Sequence, residues 1–184
     1  MSITTVRLLS YLWVPFYTAI FIIPSTMLAT VSALSAQNIG AKNYGRARTV
    51  LKYAVMITTL YGIIVTLIVE CAAPTLLGLF TKDKTVILLG VQYISSYIID
   101  TIFAGIHFGF SGYFAADGKS YIGFIHNIIS ISLVRVPGSY IASIMYPHNL
   151  FPMGLAAPLG SLLSVIICLI AYCILKKKDE LSVL

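Results

Sequence analysis

From Leu8 to Ala41 the chain reads LLSYLWVPFYTAIFIIPSTMLATVSALSAQNIGA, without one charged side chain. A helix of about 20 mostly apolar residues crosses the roughly 30 Å hydrocarbon core of a bilayer, and this tract is long enough. It far exceeds the apolar region of about 7–15 residues in a secretory signal peptide and lacks a matching cleavage site, so it reads as a membrane span. The rest of the chain has the same character. Of its 184 residues, 59% are hydrophobic and 10% charged, against about 25% charged in soluble domains. The mean hydropathy is +0.95. Too little charge remains to solvate a soluble surface, and the expected solvent is lipid.

Cutting the chain at its polar punctuation gives five spans: Leu8–Ala36, Val50–Val69, Val86–Ala115, Tyr121–Tyr146 and Pro152–Leu175. The expected fold class is all-α, a polytopic membrane helical bundle of about five transmembrane helices forming one unit over residues 1–184. The connections are AKNYGRARTVLK (Ala41–Lys52), TKDK (Thr81–Lys84), DGKS (Asp117–Ser120), PHN (Pro147–Asn149) and the tail KKKDELSVL. The segment Cys71–Phe80 is too short to cross and carries Pro74, so it extends the second helix or lies at the interface. The net charge is +6, but the charges sit in the connections. That suits loops at a lipid surface and gives no nucleic-acid face.

Lysine and arginine bias sets orientation. An outside start puts eight of them inside (Lys42, Arg46, Arg48, Lys52, Lys119, Lys176, Lys177 and Lys178) and three outside (Arg7, Lys82 and Lys84). The expectation is a cytoplasmic carboxy terminus. An odd number of spans beginning outside also suggests a missing upstream portion. Cys71, Cys168 and Cys173 lie in apolar segments without CxxC or Cys/His spacing and read as small hydrophobes, so no metal site is expected. The string KDEL at Lys178–Leu181 is followed by further residues and is not a terminal retention address.

Lipid is as apolar as leucine, so helix contacts in a bilayer rely on small residues that admit close backbone approach. Ser25, Ala29, Ser32, Ala33 and Ala36 in the first span, and Gly154, Ala157, Ser161, Ser164 and Cys168 in the last, read as helix–helix seams. Pro15, Pro24, Pro74, Pro137 and Pro158 each remove one backbone bond and are expected to bend their helices.

One acid breaks the pattern. In SYIIDTIFAGIHF, Ser96–Phe108, Asp100 sits near mid-helix, about 14 residues or roughly 21 Å from the start of its span. The other acids lie in connections, in the tail, or (Glu70) at a span end. An ionisable group at that depth costs at least about 2.5–3.5 kcal/mol on insertion scales, so it must face an interior with a partner or water. Tyr93, Ser96, Tyr97, Asp100, Ala104, His107 and Ser111 recur at steps of three and four and share one helix face. Arg135 is the only cation inside a span, with Asn127, Ser132 and Ser139 near its face and Pro137 freeing a carbonyl beyond.

Two readings stand. Asp100 and Arg135 form a structural ion pair or find separate polar partners. Alternatively, Asp100 binds a cation or exchanges a proton during a transport cycle, since a carboxylate held from water stays charged only beside a cation. His107 is a satisfied core histidine or a relay for that proton. Tyr93, Ser96, Tyr97, Ala104, Asn127 and Arg135 are the candidate partners or cavity lining.

Four strings occur in order: AQNIGAKNYGRA (Ala36–Ala47), LFTKDKTVILLGVQYI (Leu79–Ile94), GYFAADGKSYI (Gly112–Ile122) and LVRVP (Leu133–Pro137). Together they resemble the carboxy-terminal half of the multidrug and toxic compound extrusion family, the MATE transporters, from Pro24 onwards. Leu8–Phe21 matches poorly. The resemblance implies a parent of twelve helices in two six-helix lobes around a cavity that opens alternately to each side. Such proteins export organic cations and other amphipathic compounds in exchange for sodium ions or protons. The spans would be helices eight to twelve, with helix seven and the amino-terminal lobe missing. Gln37, Asn38 and Gly40 would close the first helix at the cytoplasmic face, Gly40 in a left-handed cap, with Arg46 and Arg48 at the headgroups. These roles are architectural. Members of one subgroup carry an acid on helix seven and another on helix ten at the position aligned with Ala104. Here the acid is Asp100, one turn earlier and about 6 Å along the axis.

The leading expectation is a fragment of an ion-coupled antiporter, driven by Na+ or H+, that exports drugs or other amphipathic organic compounds across a bacterial cell membrane. Its expected partners are membrane lipid, an organic small molecule and the missing amino-terminal lobe; no nucleic acid and no cofactor beyond the coupling ion are expected. Two alternatives are a related exporter of lipid-linked or polar metabolites, which a more cationic cavity would favour, and a non-transporting subunit dimerising through its small-residue stripes. An enzyme is not expected, because HExxH, GxSxG and a carboxylate–histidine cluster at catalytic spacing are all lacking.

Overall fold

Every described element is helical. The structure, a computed structural model, describes the backbone of residues 3–79, 81–147 and 149–181, and the side chains of 18–79, 81–147 and 149–177. The side chains of Arg7, Pro15, Lys178, Asp179 and Glu180, and the whole of Phe80 and His148, fall outside that set. In chain order the helices are α1 (Ile3–Gly40), α2 (Tyr44–Gly78), α3 (Lys84–Tyr97), α4 (Asp100–Ala116) and α5 (Ser120–Ser130). A π-helical turn (Ile131–Arg135) follows, then α6 (Val136–Met145), α7 (Phe151–Gly154) and α8 (Ala156–Leu181).

Four stretches are long and apolar enough to cross a membrane: Thr18–Gly40, Tyr44–Gly78, Ser120–Met145 and Phe151–Lys177. The bent pair α3 and α4 makes a fifth. The fold is thus an all-α membrane bundle, with large side chains such as Leu60, Leu67, Phe124 and Leu133 exposed on its outside, where lipid is their solvent.

Helix bounds depart from the sequence expectation where caps decide them. α2 starts inside the connection Ala41–Lys52 because the Asn43 side chain accepts from the Arg46 amide at 3.3 Å, a helix-starting cap. It also runs through Pro74, so the stretch after Cys71 extends this helix as far as Gly78. Its 35 residues measure about 52 Å, more than the hydrocarbon core needs. The expected left-handed cap at Gly40 is corrected: Gly40 stays helical, and Lys42 takes the positive φ of 58°. The reason is in the closing bonds. Lys42 N–H reaches the Ile39 carbonyl and Asn43 N–H the Asn38 carbonyl, both at 2.8 Å, a pairing that puts the left-handed residue two positions after Gly40.

α4 is the hub, in contact with α1, α2, α5 and α8. Its glycines admit the neighbours. A Cβ at Gly105 would lie 2.6 Å from Thr58 Cβ, and one at Gly112 2.5 Å from the Leu28 carbonyl oxygen. That second contact explains a correction. Ser25, Ala29, Ala33 and Ala36 are exposed and Ser32 is half-buried, so they do not form the expected seam. α1 turns Phe21, Pro24, Val31 and Ser35 inward instead, because the small residue at this crossing is supplied by α4. In the last span Gly154, Ala157, Ser161, Ser164 and Cys168 are all buried.

Two interruptions flank the middle of the bundle. The first separates α3 from α4, which bend by 40°, so the expected continuous helix Val86–Ala115 is corrected. Ile98, Ile99, Thr101 and Ile102 crowd β-branched side chains there, which restricts rotamers in a helix. The Thr101 and Ile102 amides bond three residues back, to the Ile98 and Ile99 carbonyls, at 3.0 and 3.2 Å. Thr66 of α2 donates its hydroxyl to the same Ile98 carbonyl at 3.4 Å. Asp100 therefore opens a helix and does not sit within one. The second interruption is the π turn, where Val136 N–H donates to the Ile131 carbonyl. Pro137 has no N–H, and its ring would clash with the Leu133 carbonyl in a regular helix; widening the turn relieves the clash.

Candidate functional site

On α5 the buried positions are His126 and Ser130. A regular helix would continue that face with Val134. The π turn instead brings Arg135, five residues after Ser130, to the same neighbour: Ser130 Oγ donates to the Gly160 carbonyl at 2.6 Å, and Arg135 Nη2 donates to Ser161 Oγ at 2.6 Å. Gly160 forms the slot for both, since a Cβ there would meet Arg135 Cγ at 2.5 Å and Ser130 Oγ at 2.9 Å.

Asp100 is fully buried. One guanidinium nitrogen, Arg135 Nη2, lies 3.3 Å and 3.4 Å from its two carboxylate oxygens. The Arg135 side chain keeps 26% of its surface accessible while Asp100 keeps none, so the pair has one sealed end and one end at an opening. Removing either partner alone strands the other, which is the costly way to break such a pair.

The polar contacts continue beyond the pair. Ser161 Oγ stands 3.4 Å from His107 Nε2. The His107 ring meets the His126 ring edge-on at 5.5 Å, and His126 Nε2 is 2.9 Å from Ser111 Oγ. Asp100, Arg135, Ser161, His107, His126 and Ser111 therefore form one line, buried apart from the half-buried Arg135 and Ser111, spanning eleven helical steps of α4 or roughly 16 Å. Both histidines leave Nδ1 without a hydrogen-bond partner, as do Thr101 Oγ1 and Arg135 Nε. Beside the two histidines and Ser111 lies a cavity of about 230 Å³ between α1, α4 and α5, whose walls include Leu28, His107, Phe108, Ser111, His126 and Asn127. A second groove of about 400 Å³ between α2 and α8, rimmed by Arg48 and Lys52, shares no residue with this line.

The other sequence candidates fall in three places. Ala104 is buried one turn along α4 from Asp100. Tyr93 and Tyr97 are half-buried and stack at 5.4 Å. Ser96 is fully buried, donates to the Tyr93 carbonyl at 3.1 Å and presses on Gly154, so it serves the contact between α3 and α7. Gln37, Asn38 and Gly40 close α1: Gln37 accepts the Ala41 amide at 3.1 Å, and Asn38 Nδ2 donates to the Leu34 carbonyl at 2.7 Å.

Asn127 and Ser132 do not sit beside Arg135 as expected. Both are exposed, because the π turn swings Arg135 towards α8 and leaves them outward, Asn127 on the cavity wall. Sequence reasoning missed His126, although the rule that singled out Asp100 applies equally to an imidazole inside FIHNIIS.

The family model described as MatE matches residues 11–141. That stretch holds Asp100, His107, Ser111, His126 and Arg135 and ends before α8, which supplies Ser161. No curated protein and no solved structure matches the chain.

Proposed function

The chain belongs to the MatE family of multi-pass membrane transporters, and on that premise we propose that it is the carboxy-terminal lobe of an ion-coupled antiporter with Asp100 as the coupling carboxylate. It works beside an amino-terminal lobe of the same transporter in a bacterial cell membrane, its carboxy terminus in the cytoplasm. Its cargo is an amphipathic organic compound, exchanged for Na+ or H+.

The observation that carries this reading is the place of Asp100: fully buried, at the break between two half-helices, and held by one arginine. Broken helices are where transporters collect coupling sites, because irregular backbone and charge at membrane depth survive only inside protein or beside a cavity. An ion arriving at the carboxylate competes with Arg135 for the same two oxygens. Its arrival frees the guanidinium, which already has a second partner in Ser161. The ion thus exchanges one arrangement of α4, the π turn and α8 for another, and coupling requires such a two-state element. Five crossings do not enclose a cavity built between two lobes, which supports the second lobe.

The test is efflux of a fluorescent organic cation from proteoliposomes holding the complete transporter, with imposed sodium or pH gradients. Asp100→Asn is expected to abolish gradient-driven efflux at unchanged protein level. Efflux that keeps its dependence on the driving ion in this variant refutes the coupling role.

A further inference from the structure

Resting on that reading of Asp100, we propose that Ser111, His126, His107 and Ser161 form a proton path from the cavity between α1, α4 and α5 to the carboxylate, and that the coupling ion is the proton. The two imidazoles are arranged as transfer groups. Each spends its Nε2 on a serine at an opposite end of the line, His126 on Ser111 and His107 on Ser161, and each leaves Nδ1 unpartnered. A ring that is bonded on one nitrogen and open on the other can gain a proton at one side and release one at the other.

The transfer balances with one proton and no electrons. Hydronium in the cavity gives its proton to the Ser111 hydroxyl and leaves as water, and Ser111 passes its own proton to His126 Nε2. His126 releases the proton it held on Nδ1, and His107 takes one on Nδ1. One water or a ring rotation spans the 5.5 Å between the rings. His107 Nε2 then donates to Ser161 Oγ, whose hydroxyl proton goes to Asp100. Ser161 is the natural last step, because its oxygen accepts from Arg135 and stands 3.4 Å from His107 Nε2, while its side chain also hydrogen-bonds Asp100.

The surroundings suit protons and not a metal cation. Along the line, α5 and the π turn present His126 and Arg135, and α8 presents Ser161 and Ser164, the latter bonded to the His126 carbonyl. α2 turns Thr58 and Thr66 towards α4, and α1 brings Leu28 to the cavity. Asp100 is thus the one carboxylate on the line, and between it and the cavity stand hydroxyls and imidazoles; both pass protons, whereas the imidazoles offer sodium no oxygen ligand. Arg135 borders the path without conducting, since its guanidinium does not give up a proton.

The test follows protonation of Asp100 after a pH jump, using the infrared carboxyl band of the complete transporter that disappears in Asp100→Asn. His126→Gln keeps a hydrogen-bonding side chain of similar size but cannot shuttle, and it is expected to slow the rise of the band at least tenfold. Asn127→Cys, at an exposed position on the cavity wall outside the path, in a background with Cys71→Ser and Cys173→Ser, is measured before and after attaching a bulky thiol reagent. Plugging the cavity should slow the same folded sample by a comparable factor. Equal rates before and after plugging overturn the path, whatever His126→Gln does. A missing band in the parent protein removes the reading of Asp100 and the path together, whereas a band whose rate ignores both changes removes the path alone.

Discussion

Replacing Arg135 with Met should destabilise the protein far more than an exposed arginine would. The substitution removes the contacts of 3.3 and 3.4 Å to Asp100 and the 2.6 Å bond to Ser161, while Met keeps an unbranched stem of similar reach beside Gly160. Breaking a buried pair by deleting one partner typically costs about 3–5 kcal/mol, because the other charge stays buried and unpaired. Arg135 retains some access, so the reverse change, Asp100→Asn, leaves a cation that can reach polar surroundings. It should cost about 1–3 kcal/mol. The double variant removes both charges and should return to within about 1–2 kcal/mol of the parent, as replaced buried pairs do elsewhere. At the middle of these ranges the cycle predicts a coupling energy of about 4–5 kcal/mol, above the roughly 0.5–3 kcal/mol usual for contacting residues. Unfolding of the purified transporter in detergent, followed by helical circular dichroism, measures all four corners. A single Arg135→Met variant as stable as the parent refutes the ion pair as described.

Two further changes test the backbone. Gly160→Leu should cost about 1–3 kcal/mol by overpacking, since even a Cβ would lie 2.5 Å from Arg135 Cγ; the same unfolding assay reads it, and stability equal to the parent removes the proposed slot. Lys42→Gly should leave stability unchanged or raise it by up to about 1 kcal/mol, because Lys42 holds a φ of 58° that a side chain disfavours and glycine does not; a loss of stability contradicts the cap.

The bundle itself was legible because its signals are local. Uncharged length fixed the crossings, and Asp100 and Arg135 stood out as the two charges inside spans. The bend at Ile98–Ile99 was less legible: a β-branched run lowers helix propensity without forcing a break, and the Thr66 hydroxyl that donates to the Ile98 carbonyl there comes from another helix. The seam of α1 was misread for a related reason. Small residues on one helix are needed only where the partner offers no glycine, and here Gly112 of α4 supplies the gap. The neighbours of Arg135 depended on the π turn, which adds a residue to the register. Counting a regular helical period around Arg135 therefore placed Asn127 and Ser132 on a face they do not share.

The two interruptions and the two membrane-buried charges also belong to one arrangement. Asp100 is the first residue after the break in the third crossing, and Arg135 is the last residue of the π turn in the fourth. In a regular helix the carbonyls and amides are engaged along the axis, and a charged side chain must find all its compensation sideways. At these interruptions, hydroxyls step in: Thr66 bonds the Ile98 carbonyl, and Ser130 and Ser161 tie the π-turn segment to α8. A hydroxyl can exchange partners at little cost, since it donates once and accepts twice. Charge at this depth is therefore held by elements that can rearrange, and the coupling role proposed for Asp100 needs that property more than it needs a rigid helix.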